Sequence, residues 1–363
     1  MDFSHYGEAT PEWTRFIGEN PDALREGFEG NEISNASFLR AAVDGARSKA
    51  SVQLLSESGL DKKVTFQTIK IPSKGSHEIP IRVCRPRDGA QAKSNKTLLF
   101  FHGGGLLFGD ETTDDIVMAN MVAGTGAVVL NPIYRHTNTH SHPAQTDDAW
   151  DAFEYICSNG ESLQVSTPQG IGLIGVSAGA LLAAGVVLRH LEKNRSEGTR
   201  PMINGVVLSI PWLIHFDNYP FHLFASREVT SMVQCADRPV IPLERVKLMN
   251  ALLNGSPTDR VLNPGLAPEA ELKGWPKTWF LIAGGDPLRD DGLLFASRLR
   301  DMGVRARVNI YTGLPHGFRR WSSLSGSKVF DVDTMQALNW ALAEETGAEA
   351  SEGEREWSEY VGK

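Results

Sequence analysis

Two short segments place reactive residue types at spacings that suit acyl chemistry. The first is Gly175-Val176-Ser177-Ala178-Gly179, which follows an apolar run at 171–176 and opens a helical pattern at 178–190. A serine on a tight strand-to-helix turn, with small residues on both sides, exposes a nucleophilic hydroxyl. The N-terminus of the following helix favours negative charge near that oxygen. A packed turn with no chemistry is the bland alternative. The second segment is His102-Gly103-Gly104-Gly105, directly after the strand candidate 97–101. A glycine run lets N–H groups converge without Cβ obstruction. Such donors stabilise the oxyanion that develops on an attacked carbonyl. Gly103 and Gly104, with Ala178, are the expected donors, and His102 is expected to anchor the loop. A flexible turn or a phosphate cradle could also use such a run, but the Lys-Ser/Thr of a P-loop is missing.

A serine nucleophile needs a base and an acid that orients it. His316 lies in Leu314-Pro315-His316-Gly317-Phe318, just after the last strand candidate. Asp286 lies in Gly285-Asp286-Pro287-Leu288, at the end of the strand candidate 278–283. Asp290 and Asp291 compete for the acid role. Asp286 sits nearest the strand end, where ligands bind in such sheets; a helix N-cap is its bland reading. Ser, then acid, then His is the chain order of the α/β-hydrolases.

Two other clusters carry less. His136, His140 and His142 crowd into HTNTHSH. No cysteine or paired carboxylate completes a metal-ligand set in sequence, so a polar surface loop is expected and no metal. The aromatic residues Trp212, Phe216, Tyr219, Phe221 and Phe224 suit either an acyl pocket or the core of a cap.

Strand-like runs recur at 64–71, 79–84, 97–101, 128–133, 171–176, 206–210, 278–283 and 307–311. The first two read as an antiparallel hairpin. Helical patterns at 114–122, 146–157, 178–190 and 293–302 separate most of the others. The alternation predicts an α/β fold: an eight-stranded, mostly parallel sheet flanked by helices. Residues 1–60 predict two helical stretches, the second near 34–55 with an apolar face of Phe38, Ala41, Ala42, Val52 and Leu55. The segment 212–275 is too long for a structureless loop and reads as an insertion. The predicted divisions are N-terminal helices at 1–60 as part of a cap, core at 61–211 and 276–345, inserted cap at 212–275, and an acidic tail at 346–363. The tail is expected to be helical or frayed and is assigned no role.

The net charge is −8, from 36 basic and 44 acidic residues. That balance excludes a general affinity for nucleic acid or anionic membrane, since both need a basic face. Three scattered cysteines, Cys84, Cys157 and Cys235, offer no zinc or disulfide framework. The N-terminus shows no signal-peptide pattern, so a cytoplasmic location is expected. The uncharged run 165–188 is long enough for a membrane span, but its five glycines predict a buried strand and helix instead.

The HGGG motif, G-x-S-A-G, D-P-L-R-D and H-G-F, in this order, resemble the hormone-sensitive lipase family of α/β-hydrolase esterases. Tyr134-Arg135, Pro143-Ala144 and Asp147-Asp148 are also similar to that family's segment between oxyanion loop and nucleophile. The likeness covers residues 97–320. Its N-terminal stretch, with Pro11-Glu12, is similar to fungal members acting in secondary metabolism, of which versiconal hemiacetal acetate esterases are one group. The resemblance implies an α/β-hydrolase fold with a helical cap, and no metal or organic cofactor. Three positions depart from the family's pattern: Val176 stands where Asp is common, His136-Thr137-Asn138 replaces Ala-Pro-Glu, and Leu106-Leu107 replaces an aromatic. Leu106, Leu107, Val176, Trp212 and Phe216 are expected at the pocket wall.

The expected function is a serine esterase acting on small or medium acyl esters, with a small-molecule ester as partner. Oligomeric state is undecided, a homodimer being one option. Acyl transfer, lactonisation or elimination on the same fold is one rival reading. A receptor-like binding module is the other, although all three residues of the triad are present.

Overall fold

A computed structural model describes residues 1–24, 35–87, 96–167, 170–344 and 357–362. Gly27–Gly30, Pro168 and residues 346–356 of the tail lie outside them.

The sheet contains β1 (Val64–Pro72), β2 (Glu78–Pro86), β3 (Thr97–Phe101), β4 (Val128–Pro132), β5 (Ile171–Val176), β6 (Ile203–Ser209), β7 (Thr278–Ala283), β8 (Ala306–Tyr311) and β9 (Trp357–Tyr360). Their order is β1-β2-β4-β3-β5-β6-β7-β8-β9. β1 and β2 form the antiparallel hairpin, β2 is antiparallel to β4, and every other pairing is parallel. β3 and β7 are buried at every position. Helices cover both their faces, so they read as continuous apolar runs and not as alternation. Successive residues serve opposite cores: Leu99 and Phe101 face one, Leu98 and Phe100 the other.

The first core is closed by α4 (Ala144–Ser158), α5 (Ala178–Glu197) and α9 (Arg289–Asp301). The second is closed by α3 (Asp115–Thr125) and α10 (Ser325–Leu342). The uncharged run 165–188 resolves into β5 and the start of α5, and no helix among the described residues is long and apolar enough to cross a membrane.

Two elements depart from expectation. The helix α10 went unread because only Phe330, Ala337, Leu338, Ala341 and Leu342 of its core-facing residues are large or apolar and buried. It packs so closely on β6 that a Cβ at Gly205 would lie 2.8 Å from Ala341 Cα. The tail, expected helical or frayed, supplies a ninth strand. β9 pairs in parallel with β8, and the Tyr360 hydroxyl lies 2.9 Å from Glu12 Oε2. Its acidic composition hid a strand whose partners are remote in sequence.

Helices outside the sheet's own crossovers come from two stretches. Between β6 and β7 come α6 (Ser231–Gln234), α7 (Leu243–Leu253), α8 (Glu269–Leu272) and short 3₁₀ turns. Ahead of the sheet come α1 (Pro11–Glu19) and α2 (Ala36–Glu57). The face of α2 predicted to be buried is not. Phe38 is 76% and Val52 58% exposed. Ala36 and Leu39 are buried at its start, and from Asp44 onward the inward stripe is polar. Arg47 pairs with Asp114, Ser48 hydrogen-bonds Asp110, and the Ser51 hydroxyl accepts Ile116 N–H at the start of α3. Asp44 Oδ1 accepts Gly109 N–H at 2.8 Å, while Arg40 bridges Asp44 and the Gly109 carbonyl. Hydrophobic periodicity cannot see a face buried through ion pairs.

Asp44→Ala would orphan the buried Gly109 N–H and strip Arg40 of its carboxylate. We expect a loss of about 2–4 kcal/mol in urea unfolding at pH 7. A loss below about 0.5 kcal/mol would mean that α2 is held by other contacts.

Candidate active site

Every segment singled out for chemistry emerges at the carboxyl end of a parallel strand, the edge where open α/β sheets bind ligands. β5 ends at Val176, α5 begins at Ala178, and Ser177 forms the turn between them with φ +54° and ψ −120°. A non-glycine residue there stores on the order of 1–3 kcal/mol of strain. The surroundings hold it in place: Ser177 N–H donates to Ser209 O at 2.8 Å, and Ser177 O accepts Trp212 N–H at 3.2 Å. Gly179 is required by a close approach, since a Cβ there would lie 2.0 Å from Phe101 O. Gly175 meets the same constraint, its Cβ falling 2.3 Å from Gly179 O.

His316 Nε2 lies 2.9 Å from Ser177 Oγ. His316 Nδ1 lies 2.6 Å from Asp286 Oδ2. A carboxylate accepts, so Nδ1 carries the proton and Nε2 is bare toward the serine. Asp286 is 1% exposed, and its Oδ1 accepts Leu288 N–H at 2.9 Å. It therefore caps the turn before α9 as well as meeting His316.

The two competing aspartates are committed elsewhere. Asp290 Oδ2 accepts Ser231 N–H at 2.6 Å and the Tyr219 hydroxyl at 3.2 Å, and Oδ1 accepts Arg289 Nε at 2.7 Å. Asp291 Oδ2 accepts the N–H groups of Leu213 and Ile214 at 2.9 and 3.0 Å. Burial pushes the Asp291 carboxyl well above the usual carboxylate range, against those two hydrogen bonds. Both residues tether the inserted cap segment to the start of α9, a role for which the sequence carried no signal.

The loop after β3 is shaped by positive φ at Gly104 (+129°), Gly105 (+62°) and Leu106 (+59°). Gly104 O accepts the N–H groups of Leu107 and Phe108 at 3.0 and 2.9 Å. The N–H groups of Gly103, Gly104 and Ala178 make no backbone hydrogen bond among the described residues. A Cβ at Gly103 would lie 2.9 Å from Val176 O, so the loop presses against the serine turn. The same tight turn carries Leu106 and Leu107 into the core, at 0% and 1% exposure, and away from the cavity wall expected for them.

His102 is buried, with Nδ1 3.0 Å from Asn131 Oδ1 and its ring stacked on Tyr134 at 4.3 Å. The Tyr134 hydroxyl donates to His102 O at 2.9 Å. Burial pushes the imidazole down to about 4, so it is neutral at pH 7 and anchors the loop without charge. HTNTHSH is the expected surface loop only at Thr139, His140 and Ser141. His136 is 3% exposed, and burial, with His102 next in effect, pushes it down to about 2. His142 pairs with Asp259 at 3.0 Å, and only His140 is exposed. Among the described residues no group of three or more His, Cys, Asp or Glu could hold a metal ion.

Ser177 and His316 open into a cavity of about 1080 Å³. Val176 and Trp212 line it; Phe216 does not. Tyr219 and Phe224 stack on each other within the cap at 5.8 Å, so the rest of the aromatic stretch serves as cap core. The wall comes mostly from residues no motif marked: Ala42, Ala46 and Ala50 of α2, Val246 and Met249 of α7, and Met121 of α3. The alanine repeat at every fourth position was the one legible hint.

With this geometry in view, the comparisons with known proteins are direct. The family profile described as alpha/beta hydrolase fold matches residues 98–320. The chain is 30% identical over 251 residues to Carboxylesterase NlhH of Mycobacterium tuberculosis, covering 67% of this chain and 72% of that one. It is 28% identical over 250 residues to a versiconal hemiacetal acetate esterase of Dothistroma septosporum, covering 69% and 74%. The solved bacterial heroin esterase superposes with a TM-score of 0.75 at 25% identity, covering 93% of this chain and 98% of that one. This chain belongs to the alpha/beta-hydrolase fold family and is a hydrolase of the esterase type.

Proposed function

We propose that the chain is a serine carboxylic-ester hydrolase of the hormone-sensitive lipase type, working through an acyl-enzyme. The continuous chain Ser177–His316–Asp286, at 2.9 and 2.6 Å, carries this reading. Ser177 Oγ attacks the ester carbonyl as His316 Nε2 takes its proton. Asp286 holds the imidazole in the right tautomer and stabilises its cation. The N–H groups of Gly103, Gly104 and Ala178 receive the oxyanion. His316 then protonates the leaving alkoxide, and water, activated by the same ring, releases the acid.

The size of the cavity supports a substrate class. At about 1080 Å³ it exceeds what a short acyl group needs and reaches the upper range of sites for drug-sized molecules. A small or medium acyl group on a bulky apolar alcohol fits it. The Dothistroma relative, named as an acetate esterase, is in keeping with this, and so is a place in secondary metabolism.

Hydrolysis of p-nitrophenyl acetate, butyrate, octanoate and palmitate tests the reading. Acetate and butyrate are expected to turn over at least about tenfold faster than palmitate. Ala46 is exposed at the cavity wall, so Ala46→Phe narrows the entrance without disturbing the core. It is expected to lower kcat/KM for 1-naphthyl acetate about tenfold and for p-nitrophenyl acetate far less, a methylene-sized misfit being worth a factor of 10–200. Absence of turnover with all four esters would overturn the proposal.

A further inference from the structure

His136 belongs to no motif, yet it is buried against the loop that presents Gly103 and Gly104. Its Nε2 lies 3.4 Å from His102 Nε2, at the start of that loop. Its ring also hydrogen-bonds the Phe108 backbone, at the loop's end. Phe108 N–H in turn donates to Gly104 O at 2.9 Å, and the neighbouring Thr137 N–H donates to Leu106 O at 2.9 Å. One ring therefore touches both ends of the glycine turn.

We propose that His136 is a positioning residue for the oxyanion loop: through His102 on one side and the Phe108 backbone on the other, it fixes where the Gly103 and Gly104 N–H groups point. This rests on the hydrolase reading given above. Two neutral imidazoles can hydrogen-bond only if one Nε2 carries a proton and the other is bare. The Phe108 contact favours a proton on His136, so the Phe108 carbonyl accepts from Nδ1 and leaves His136 Nε2 bare. His102 then donates from Nε2, its bare Nδ1 facing the Asn131 side-chain amide, which turns its otherwise unpartnered NH₂ toward it. The pair has a direction, and the space around it admits no substitute: a Cβ at Gly109 would lie 2.3 Å from His102 Nε2. An apolar side chain at 136 fills the volume but leaves the His102 Nε2–H with no acceptor.

An oxyanion donor acts in the transition state and not on the bound ester, so its displacement lowers kcat and spares KM. His136→Leu is expected to lower kcat for p-nitrophenyl butyrate about 10–100-fold, with KM within about threefold of the parent. His136→Gln, whose amide oxygen can accept at the Nε2 position, is expected to recover most of that loss. Equal kcat in the Leu variant and the parent, or a loss confined to KM, overturns the proposal. A second readout needs neither a variant nor catalysis. Long-range ¹H–¹⁵N spectra of the imidazoles at pH 7 are expected to show the two rings with opposite Nε2 protonation. The same Nε2 state in both rings overturns the pairing, whereas an inactive parent with opposite tautomers would sink the hydrolase reading and leave the pairing standing.

Discussion

Ser177→Ala is expected to lower kcat by about 10⁵–10⁶-fold and leave the fold and ester binding intact. Removing the nucleophile of a triad costs about as much as removing the whole triad, because the remaining groups have nothing to activate. Here the lost atom is the one 2.9 Å from His316 Nε2. The turn itself should survive. Its geometry is held by main-chain hydrogen bonds to Ser209 and Trp212, which alanine keeps, and alanine meets the same positive φ at similar cost. Melting temperature within about 2 °C of the parent, beside turnover at the background of a buffer blank, is the expected pair of results. Retention of more than about 1% of kcat would remove Ser177 from the chemistry.

Asp286→Asn is expected to cost about 10⁴-fold in kcat, and the reason lies in its second hydrogen bond. Asp286 Oδ1 accepts Leu288 N–H at 2.9 Å. An asparagine must keep its oxygen there, since a buried N–H left unsatisfied is costly. Its NH₂ then faces His316 Nδ1 at the 2.6 Å contact. An N–H donor demands a bare Nδ1, so the proton moves to Nε2 and the ring can no longer take one from serine. The same wrong-tautomer effect in other serine hydrolases is worth about 10⁴. Neither neighbour can step in, because Asp290 and Asp291 hold Ser231, Leu213 and Ile214 of the cap. A loss smaller than about tenfold would mean that another carboxylate orients His316.

The fold was legible where its signals are local. Glycines around Ser177, the run after β3 and apolar strands of five or six residues are short-range facts, and the parallel sheet follows from their alternation with helices. What escaped depends on partners far along the chain. α2 buries Asp44 and Ser51 and turns Arg47 toward the segment 109–116, a face that hydropathy scores as solvent. β9 is a polar edge segment given meaning only by β8. The site shows the same division. Spacing marked Ser177, Asp286 and His316, but three aspartates within six residues differ only in what faces them. His136 looked like part of a polar loop because its ring neighbour His102 meets it only after β3 and β4 pair.

The acyl-enzyme mechanism stands or falls on a nucleophilic Ser177. Incubation with a fluorophosphonate, followed by intact-mass measurement and peptide mapping, reads this without assuming a substrate. One adduct per chain, on the peptide containing Ser177 and absent from Ser177→Ala, is the expected result. A folded protein that hydrolyses esters yet takes no label, or takes it at another residue, would contradict the mechanism.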